Sequence, residues 1–406
     1  MAQFGLLGKK LGHSYSPAIH TQLGSAPYGI FEKTEEELPD FLQNGDFLGL
    51  NVTIPYKKTV VPYCAELSDT ARALGSVNTL VRRAAGTLYG DNTDYYGFMS
   101  LVAKSGIAPK GKKALVLGSG GASVTVCAVL GSLGAAVTVI SRDGADNYEN
   151  LHRHADAAII VNTTPVGMYP HNGTSPLDLT RFPQCEAVFD LIYNPQRTAL
   201  LLQAEALGIP AFGGLHMLVA QAKASSQQFQ NRTIPDGEID RIESLLRRQM
   251  QNIVLIGMPG CGKSTVAALL GAALDRQVCD SDALVEELAG MPIPEIFARC
   301  GEDEFRRLET EAIAQLGKRS GIIIATGGGC VKREENYAAL HQNGTIFWLQ
   351  RDIAALPTEG RPLSRQNTLP QLYAQRKPLY ERFADYCIDN NGAPEATVTA
   401  IKEALV

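Results

Sequence analysis

Two short aliphatic runs, each followed by a cluster of glycines, predict where the chain builds its parallel sheets. The first run is Ala114–Leu117, followed by Gly118-Ser-Gly-Gly-Ala122. The second is Ile253–Ile256, followed by Gly257-Met-Pro-Gly-Cys-Gly-Lys-Ser-Thr265. A buried strand that enters a glycine-rich turn and then a helix is typical of an α/β fold with a parallel sheet. Because the two loops differ in type, they predict two separate sheets and not an internal repeat.

The stretch from Ala114 to Ser141 contains no charged residue and is long enough to cross a bilayer. Five glycines interrupt it, however, and its apolar segments alternate with β-branched ones. We therefore interpret this stretch as strand, turn, helix and strand of a buried sheet, and we expect no membrane association.

The remaining pattern predicts short alternating strands and helices at the start of the chain and an amphipathic helix over residues 235–251. The N-terminal segments are Phe4–Leu7, Ser16–Leu23, Leu48–Ile54 and Tyr56–Ala65, the last of them a helix. We predict an α/β substrate domain (1–105, with returning helices in 215–250), a Rossmann-like nucleotide domain (106–214) and a P-loop α/β domain resembling nucleoside monophosphate kinases (252–406). The last boundary is expected near Gln249–Asn252, without a flexible linker.

Composition excludes several classes of protein. Hydrophobic residues make up 45% and charged residues 19% of the 406 residues, which is enough apolar material for folded cores. A net charge of −5 argues against a generic nucleic-acid binder. The eight cysteines form no CxxC pair, which argues against a disulfide framework or a structural zinc site. Residues 1–12 lack the apolar segment of a signal peptide, so we expect a cytoplasmic protein.

Polar motifs near the N-terminus suggest a first site. In His13-Ser-Tyr-Ser-Pro17, Ser16 is predicted to cap a helix that begins at Pro17, whereas Ser14 has no such structural role. Lys57 is predicted in the first turn of a helix, where the helix dipole would favour the neutral amine and so proton transfer. Asp94 either takes part in this chemistry or caps the helix that follows it.

The first glycine-rich loop suggests a dinucleotide. Gly118 permits the tight turn, while Gly120 and Gly121 let backbone N–H groups approach a pyrophosphate at the helix N-terminus. The next predicted strand ends in Arg142 and Asp143. An arginine there suits a 2′-phosphate and an acidic residue suits a free ribose, so these two residues leave the choice between NADP and NAD open. A strand-end salt bridge is the structural alternative.

Seven motifs in this order resemble the shikimate dehydrogenase family over about residues 3–248. They are HSxSP (13–17), NVTxPxK (51–57), VNT (77–79), GDNTD (90–94), GSGGA (118–122), VNTTPxGM (161–168) and MLVAQA (217–222). The resemblance implies a catalytic pair of Lys57 and Asp94, with Asn51 positioning the lysine, and NADPH as the cofactor. It implies that a polyhydroxylated cyclohexene acid is bound by Ser14, Ser16, Thr53, Asn78, Asp94, Tyr193 and Gln221. It implies that the cofactor is bound by Gly118, Ser119, Gly120, Gly121, Ala122, Ser141 and Arg142, with Leu191, Gly214 and Met217 beside the nicotinamide.

The chain departs from the resemblance at two points. The interval from Ser141 to Val161 is too short for the strand and helix that the family usually has on the adenosine side, so we expect one of each to be missing or reduced. Asp143 stands where NADP-specific members usually have a small polar residue.

The second glycine-rich loop is a full Walker A match. Its backbone N–H groups are expected to cradle phosphates, Lys263 to pair with the β- and γ-phosphates, and Ser264 to ligate Mg²⁺. The motifs that follow resemble the shikimate kinase family over about residues 252–406. They are Asp280-Ser-Asp282, the segment Glu302–Glu309, Thr326-Gly-Gly-Gly329, Gly360-Arg361 and Arg376–Tyr380.

This second resemblance implies that Asp282 orients the hydroxyl to be phosphorylated and that Asp280 supports Mg²⁺. It implies that Arg306, Arg376 and Gly328 bind the substrate carboxylate and that Arg361 contacts the transferred phosphate. ATP would be bound by Gly260, Cys261, Gly262, Lys263, Ser264 and Thr265.

Together the two resemblances imply a bifunctional enzyme that reduces 3-dehydroshikimate with NADPH and then phosphorylates shikimate with ATP. One alternative is a regulator built from inactive copies of these domains, although Lys57, Asp94, Lys263 and Asp282 are all retained. A second alternative is quinate with NAD in the first domain. The sequence predicts no oligomeric state.

Overall fold

The computed structural model describes residues 3–12, 14–356 and 369–405. Its internal contacts divide the chain into two compact units. Unit 1 comprises residues 1–166, 175–193 and 203–245, and unit 2 comprises residues 167–174, 194–202 and 246–406.

Strands and helices are interspersed along the whole described chain, which confirms the predicted α/β class. The strands are β1 Phe4–Gly8, β2 Tyr28–Glu32, β3 Gly49–Val52, β4 Cys64–Leu67, β5 Thr79–Arg82, β6 Leu88–Asp91, β7 Lys113–Leu117, β8 Ala136–Ile140, β9 Ile159–Asn162, β10 Ala187–Asp190, β11 Ala211–Gly213, β12 Asn252–Ile256, β13 Val278–Asp280, β14 Ile323–Ala325, β15 Gly344–Gln350 and β16 Tyr386–Asp389. The helices are α1 Ser16–Gln22, α2 Leu38–Asn44, α3 Asp69–Leu74, α4 Thr93–Ser105, α5 Gly121–Ser132, α6 Ala199–Ala206, α7 Leu215–Gln230, α8 Gly237–Met250, α9 Lys263–Leu274, α10 Ser281–Ala289, α11 Ile293–Gly317, α12 Glu335–His341, α13 Leu369–Phe383 and α14 Pro394–Ala404.

The first sheet of unit 1 has the strand order β2-β1-β3-β5-β6-β4 in the described chain. Strand β5 runs antiparallel to β3 and β6, and the register pairs Thr79 with Asn51 on one side and with Asp91 on the other. Three polar residues therefore lie side by side at one end of this sheet. Helices α4 and α7 pack against each other and bring their polar residues to the same end.

The second sheet of unit 1 is parallel throughout, with the order β11-β10-β9-β7-β8 among the described strands. Strand β7, helix α5 and strand β8 occupy the uncharged stretch 114–141, as the pattern predicted. Among the described residues, none of the helices combines the length and apolar character that crossing a bilayer requires. Residues 144–158 add only a single 3₁₀ turn, Leu151–His154, so the predicted loss of a strand and helix after β8 is confirmed.

The sheet of unit 2 is also parallel, and its described strands have the order β13-β14-β12-β15-β16. The central strand β12 is buried along its whole length, and Trp348 of β15 is a core residue. Helix α9 starts at Lys263 directly after the Walker A loop. The strand–loop–helix order places the loop at the carboxyl end of the central strand, where ligands of open α/β sheets bind.

Two short segments from the middle of the chain belong to unit 2. The backbone N–H of Gln196 donates to Oδ1 of Asn343 (2.9 Å), and that of Arg197 donates to the carbonyl oxygen of Gln342 (2.9 Å). The Arg197 guanidinium donates to the carbonyl oxygen of His341 (3.0 Å). These bonds satisfy buried polar groups of the loop that leads into β15.

The structure corrects two local predictions. Residues 56–60 form consecutive turns, Val61–Tyr63 is a 3₁₀ turn and β4 begins at Cys64, so the predicted helix Tyr56–Ala65 is wrong. A proline at position 62 and β-branched neighbours disfavour a continuous helix there. Ser16 is not the N-cap of α1 but its first residue. Instead, the hydroxyl oxygen of Ser14 accepts a hydrogen bond from the Ser16 N–H (3.2 Å), so Ser14 does have a structural role.

Candidate active sites

Unit 1 contains a cavity of about 280 Å³ between the polar end of the first sheet and the glycine-rich loop after β7. Every substrate-binding residue predicted for this half of the chain lines it. The lining residues are Leu6, Ser14, Ser16, Asn51, Val52, Thr53, Lys57, Asn78, Asp94, Ala122, Leu191, Tyr193, Gly214, Met217, Leu218 and Gln221. Hydroxyl, amide and charged groups thus converge on a space the size of a small polar molecule.

Lys57 and Asp94 form an ion pair inside this cavity. The Lys57 Nζ donates to Oδ2 of Asp94 at 2.6 Å, and the two side chains are 26% and 16% exposed. The other oxygen of Asp94 accepts from Nδ2 of Asn78 at 3.0 Å. Asn92, not Asp94, occupies the cap position of α4, so the capping alternative for Asp94 is wrong. The ammonium is therefore oriented into the cavity by a carboxylate that is itself held in place.

The reason expected for the reactivity of Lys57 does not hold, because the residue lies in a turn and no helix begins there. Asn51 lines the cavity, but its side-chain hydrogen bonds go to Tyr28 (2.8 Å) and Ser225 (2.7 Å) and not to Lys57. Its contribution to the site is therefore different from the one implied by the resemblance. Nothing in the sequence motifs singled out Ser225.

The loop after β7 has the shape of a dinucleotide site. Gly118 has φ +104°, and a Cβ there would lie 2.9 Å from the Thr164 side chain, so glycine is required. No atom lies within 4 Å of a Cβ built on Gly120 or Gly121, so there is open space beside the backbone at the start of α5, where a helix N-terminus can bind a phosphate. A Cβ on Gly214 would lie 2.1 Å from the carbonyl oxygen of Leu191. Only glycine therefore allows the two backbone segments to pack this closely at the cavity wall.

Arg142 is exposed just after β8, and Ser141 precedes it at the strand end. Neither residue lines the cavity, which is consistent with a role at the far end of a long cofactor. The backbone of the loop, the helix N-terminus and this arginine together fit a phosphorylated dinucleotide.

Unit 2 contains a larger cavity, of about 490 Å³, beside the Walker A loop. Predicted nucleotide and substrate residues line it together. The lining residues are Pro259, Gly260, Gly262, Lys263, Ser264, Thr265, Asp280, Asp282, Ile293, Phe297, Phe305, Arg306, Glu309, Thr326, Gly327, Gly328, Gly329, Leu369, Leu372 and Arg376. Cys261 is buried beneath the loop and does not line the cavity.

The Walker A loop is wrapped around its own lysine. The Lys263 Nζ donates to the carbonyl oxygens of Gly257 (2.9 Å) and Met258 (3.0 Å), and the residue is 8% exposed. The Ser264 hydroxyl lies 3.4 Å from Oδ2 of Asp280, while Oδ1 of Asp280 accepts from the backbone N–H of Asp282. A hydroxyl and a carboxylate that lie together at a phosphate loop are the oxygen ligands that Mg²⁺ prefers.

Asp282 is an acidic residue of this cavity whose pKa is strongly shifted. The pKa of its carboxyl is raised to about 6, first by burial and then by the negative charges of Asp280 and Glu309, against the opposing cations of Lys263 and Arg306. Its Oδ1 is buried and has no hydrogen-bond partner among the described residues. A carboxylate with an unpartnered oxygen and a raised pKa is suited to accept a proton near neutral pH.

The raised pKa predicts that Asp282 destabilises the folded protein. The carboxyl titrates near 3.8 when unfolded and about 6 when folded, so its charge lowers stability above pH 6, and this penalty disappears below about pH 4. We expect Asp282→Asn to raise the free energy of unfolding by about 1–2 kcal/mol at pH 7.5 and by much less at pH 4.5. Urea unfolding at the two pH values measures this. The control Asp303→Asn, at an exposed position of α11, should change neither value.

Two buried arginines also line the cavity. Arg306 is 4% exposed and is held by Oε2 of Glu309 (2.6 Å) and by Glu302 (3.2 Å). Arg376 is also buried and donates to the carbonyl oxygen of Gly328 (2.8 Å). Such rigidly held guanidinium groups fix the direction of a bound carboxylate.

Three other residues belong to the kinase-type motifs. Arg307, the neighbour of Arg306, is exposed and paired with Glu304 and Glu311, so it is a solvated surface charge. A Cβ on Gly328 would lie 2.6 Å from Pro259, so this glycine permits close packing against the Walker A loop. Arg361 lies outside the described residues, in the interval 357–368.

The geometry defines two enzyme classes in one chain: a dehydrogenase-type nucleotide fold with a lysine–aspartate pair, and a P-loop phosphotransferase. Comparison with known proteins agrees. The family model of the shikimate dehydrogenase substrate binding domain matches residues 6–80, and the family model of shikimate kinase matches residues 259–406.

Curated relatives and solved structures match the first part of the chain. Shikimate dehydrogenase (NADP(+)) of Clostridium beijerinckii is 35% identical over 250 residues, covering 57% of this chain and 92% of that protein. The corresponding protein of Oleidesulfovibrio alaskensis is 39% identical over 256 residues, covering 57% and 91%. The crystal structure of a chorismate mutase/shikimate 5-dehydrogenase fusion protein from Clostridium acetobutylicum is 36% identical, with a TM-score of 0.57, covering 60% and 96%. Shikimate 5-dehydrogenase from Thermus thermophilus, in complex with NADP(H) and shikimate, is 32% identical, with a TM-score of 0.54, covering 60% and 98%.

The chain therefore belongs to the shikimate dehydrogenase family and carries a shikimate kinase domain in its C-terminal part. It is a bifunctional enzyme of the shikimate pathway, with dehydrogenase and kinase activities.

Proposed function

We propose that this chain reduces 3-dehydroshikimate to shikimate with NADPH and then transfers the γ-phosphoryl group of ATP to the 3-hydroxyl of shikimate. The observation that carries the proposal is that each of two phosphate-type loops lies beside its own polar cavity. One cavity holds a proton-transferring lysine, and the other holds a base with two carboxylate-binding arginines. The product of the first reaction is then the substrate of the second.

In the dehydrogenase site, a reduced nicotinamide would supply the hydride when NADPH is bound. Lys57 stabilises the negative charge that develops on the substrate oxygen and donates a proton to it. Asp94 holds the ammonium in position through the 2.6 Å contact. We assign recognition of the substrate's hydroxyl and carboxylate groups to polar residues of the cavity wall, namely Ser14, Ser16, Thr53, Asn78, Tyr193 and Gln221.

In the kinase site, Asp282 accepts the proton of the attacking hydroxyl, and Arg306 and Arg376 hold the substrate carboxylate. Lys263 exchanges its two carbonyl partners for phosphate oxygens of ATP. Mg²⁺, bound through Ser264 and Asp280, would neutralise charge on the phosphates. Phosphoryl transfer depends mainly on positioning and charge neutralisation, so one carboxylate base is sufficient.

We assign the substrate-binding role to residues 1–105 with the helices of 215–250, the NADP-binding role to 106–214 and the kinase role to 252–406. We also propose a cytoplasmic location. This proposal is supported by the eight cysteines, all of which are free thiols in the structure, as expected in a reducing compartment.

Steady-state assays of the wild-type protein test the proposed function. We expect NADP⁺-dependent oxidation of shikimate at a kcat/KM at least about tenfold above the value with NAD⁺, because exposed Arg142 favours the 2′-phosphate. We also expect ATP-dependent phosphorylation of shikimate. Quinate is the comparison substrate in the first assay. Preferred turnover of quinate with NAD⁺ would support the alternative dehydrogenase, and the absence of both activities would support an inactive regulator.

A further inference from the structure

The side chain of Ser225, on α7, lies at the centre of a buried hydrogen-bond network beside the dehydrogenase cavity. The residue is 0% exposed, and its Oγ lies 2.7 Å from Nδ2 of Asn51. The same atom lies 3.1 Å from the hydroxyls of both Thr79 and Thr93, and 2.9 Å from the carbonyl oxygen of Gln221. The two threonines are 0% and 2% exposed, so solvent does not compete for these bonds.

The directions of these hydrogen bonds follow from what each group can donate. The Gln221 carbonyl only accepts, so it takes the single proton of Ser225. The Ser225 oxygen then accepts from the asparagine amide of β3 and from a threonine hydroxyl. The hydroxyls of Thr79 and Thr93 have a second acceptor, Oδ1 of Asn78, at 3.0 and 3.2 Å. The two threonine hydroxyls also lie 3.1 Å from each other, so Thr79, Thr93, Ser225 and Asn78 form one connected network.

This arrangement fixes the orientation of the Asn78 amide. Its Oδ1 accepts from the Thr93 backbone N–H (2.7 Å) and lies within hydrogen-bond distance of both threonine hydroxyls, so its Nδ2 must face the other way. On that side, Nδ2 donates to Oδ1 of Asp94 (3.0 Å), whose second oxygen holds Lys57 (2.6 Å). The amide cannot turn over without placing its own donors against the Thr93 N–H.

We propose that Ser225 is a positioning residue of the dehydrogenase, an inference that rests on the proposed function of this site. Ser225 acts through Thr79, Thr93 and Asn78 to hold Asp94, and with it Lys57, in the geometry that proton transfer requires. Without its hydroxyl, each threonine hydroxyl loses one hydrogen-bond partner, and Nδ2 of Asn51 loses its acceptor in a buried position. Such a rearrangement disturbs the alignment of the catalytic pair, although Ser225 itself does not line the cavity.

The next residue provides a matched control. Ser226 is on the same helix and is also 0% exposed. Its hydroxyl lies 2.5 Å from that of Ser25 and 2.6 Å from Nε2 of Gln230, and neither partner lines the cavity. Replacing either serine by alanine therefore removes one buried hydroxyl with two or more partners from the same helix. Only the change at Ser225 interrupts the hydrogen-bond network that leads through Asn78 to Asp94.

The test compares dehydrogenase kinetics of Ser225→Ala and Ser226→Ala with those of the wild type. We expect kcat to fall about tenfold for Ser225→Ala and less than about twofold for Ser226→Ala, with the KM for NADP⁺ unchanged in both. Thr79→Val removes a different hydroxyl of the same network and should lower kcat similarly. It therefore keeps the inference testable if Ser225→Ala does not fold.

A double-mutant cycle shows whether Ser225 acts through Asn78. In the Asn78→Ala background, Ser225→Ala should lower kcat by less than about twofold, because the path is already broken. Equal kcat losses at Ser225 and Ser226, or additive losses with Asn78→Ala, would overturn the inference. A wild-type protein without shikimate oxidation would instead overturn the proposed function.

Discussion

Lys57→Ala is expected to lower the kcat of shikimate oxidation by about 10³-fold or more while leaving the kinase activity of the same chain unchanged. The ammonium of Lys57 lies 2.6 Å from Asp94 in the cavity and, in our proposal, both transfers the proton and stabilises the charge on the reacting oxygen. General acid–base catalysis alone contributes about 10²–10⁴-fold, and none of the described residues that line the cavity offers a second ammonium. Initial rates of NADPH formation measure the effect.

The adjacent lysine is the control for this prediction. Lys58 lies in the same run of turns but is exposed, and it does not line the cavity. Lys58→Ala should therefore keep kcat within about twofold of the wild type. A loss of similar size in both variants would mean that the turn, and not the Lys57 ammonium, is what the reaction needs.

Lys263→Ala is expected to lower the kcat of shikimate phosphorylation by about 10³-fold or more and to leave shikimate oxidation unchanged. The lysine is buried in the Walker A loop, where its ammonium is held by the carbonyl oxygens of Gly257 and Met258. Those carbonyls hold the positive charge of Lys263 at the place where the phosphates of ATP bind. Removing this ammonium therefore leaves the negative charge of the transition state uncompensated. A coupled assay of ADP formation measures the loss.

An exposed lysine in the same unit is the control for this prediction, because it shows whether the loss is specific to the Lys263 ammonium. Lys402 lies on the last turn of α14, away from the residues that line the cavity. Lys402→Ala should leave ADP formation within about twofold of the wild type. If Lys263→Ala retained more than about a tenth of the wild-type kcat, the assigned role of the Walker A lysine would be wrong.

Local sequence patterns predicted the structure correctly where the same short stretch of residues determines both the motif and its secondary structure. The strand and turn around Gly118, and those around Gly257, were predicted correctly because their chemistry depends on neighbouring residues. The position of Lys57 was not predicted correctly, because Pro62 and the β-branched residues after Lys57 replace the expected helix with turns. Ser14 was likewise assigned no structural role, since its partner, the Ser16 N–H, becomes visible only once the start of α1 is known.

By itself, the sequence determined the α/β class, the two phosphate-type loops and the residue types that line each cavity, because all of these follow from short stretches of chain. Only the tertiary structure decided how Lys57, Asp94 and Ser225 are connected. These residues come from a turn, from α4 and from α7, and they meet only when the register of β3, β5 and β6 and the packing of α4 on α7 are established. A hydrogen bond depends on distance and direction in space, and residues 57 to 225 are too far apart in the chain for any local pattern to specify either.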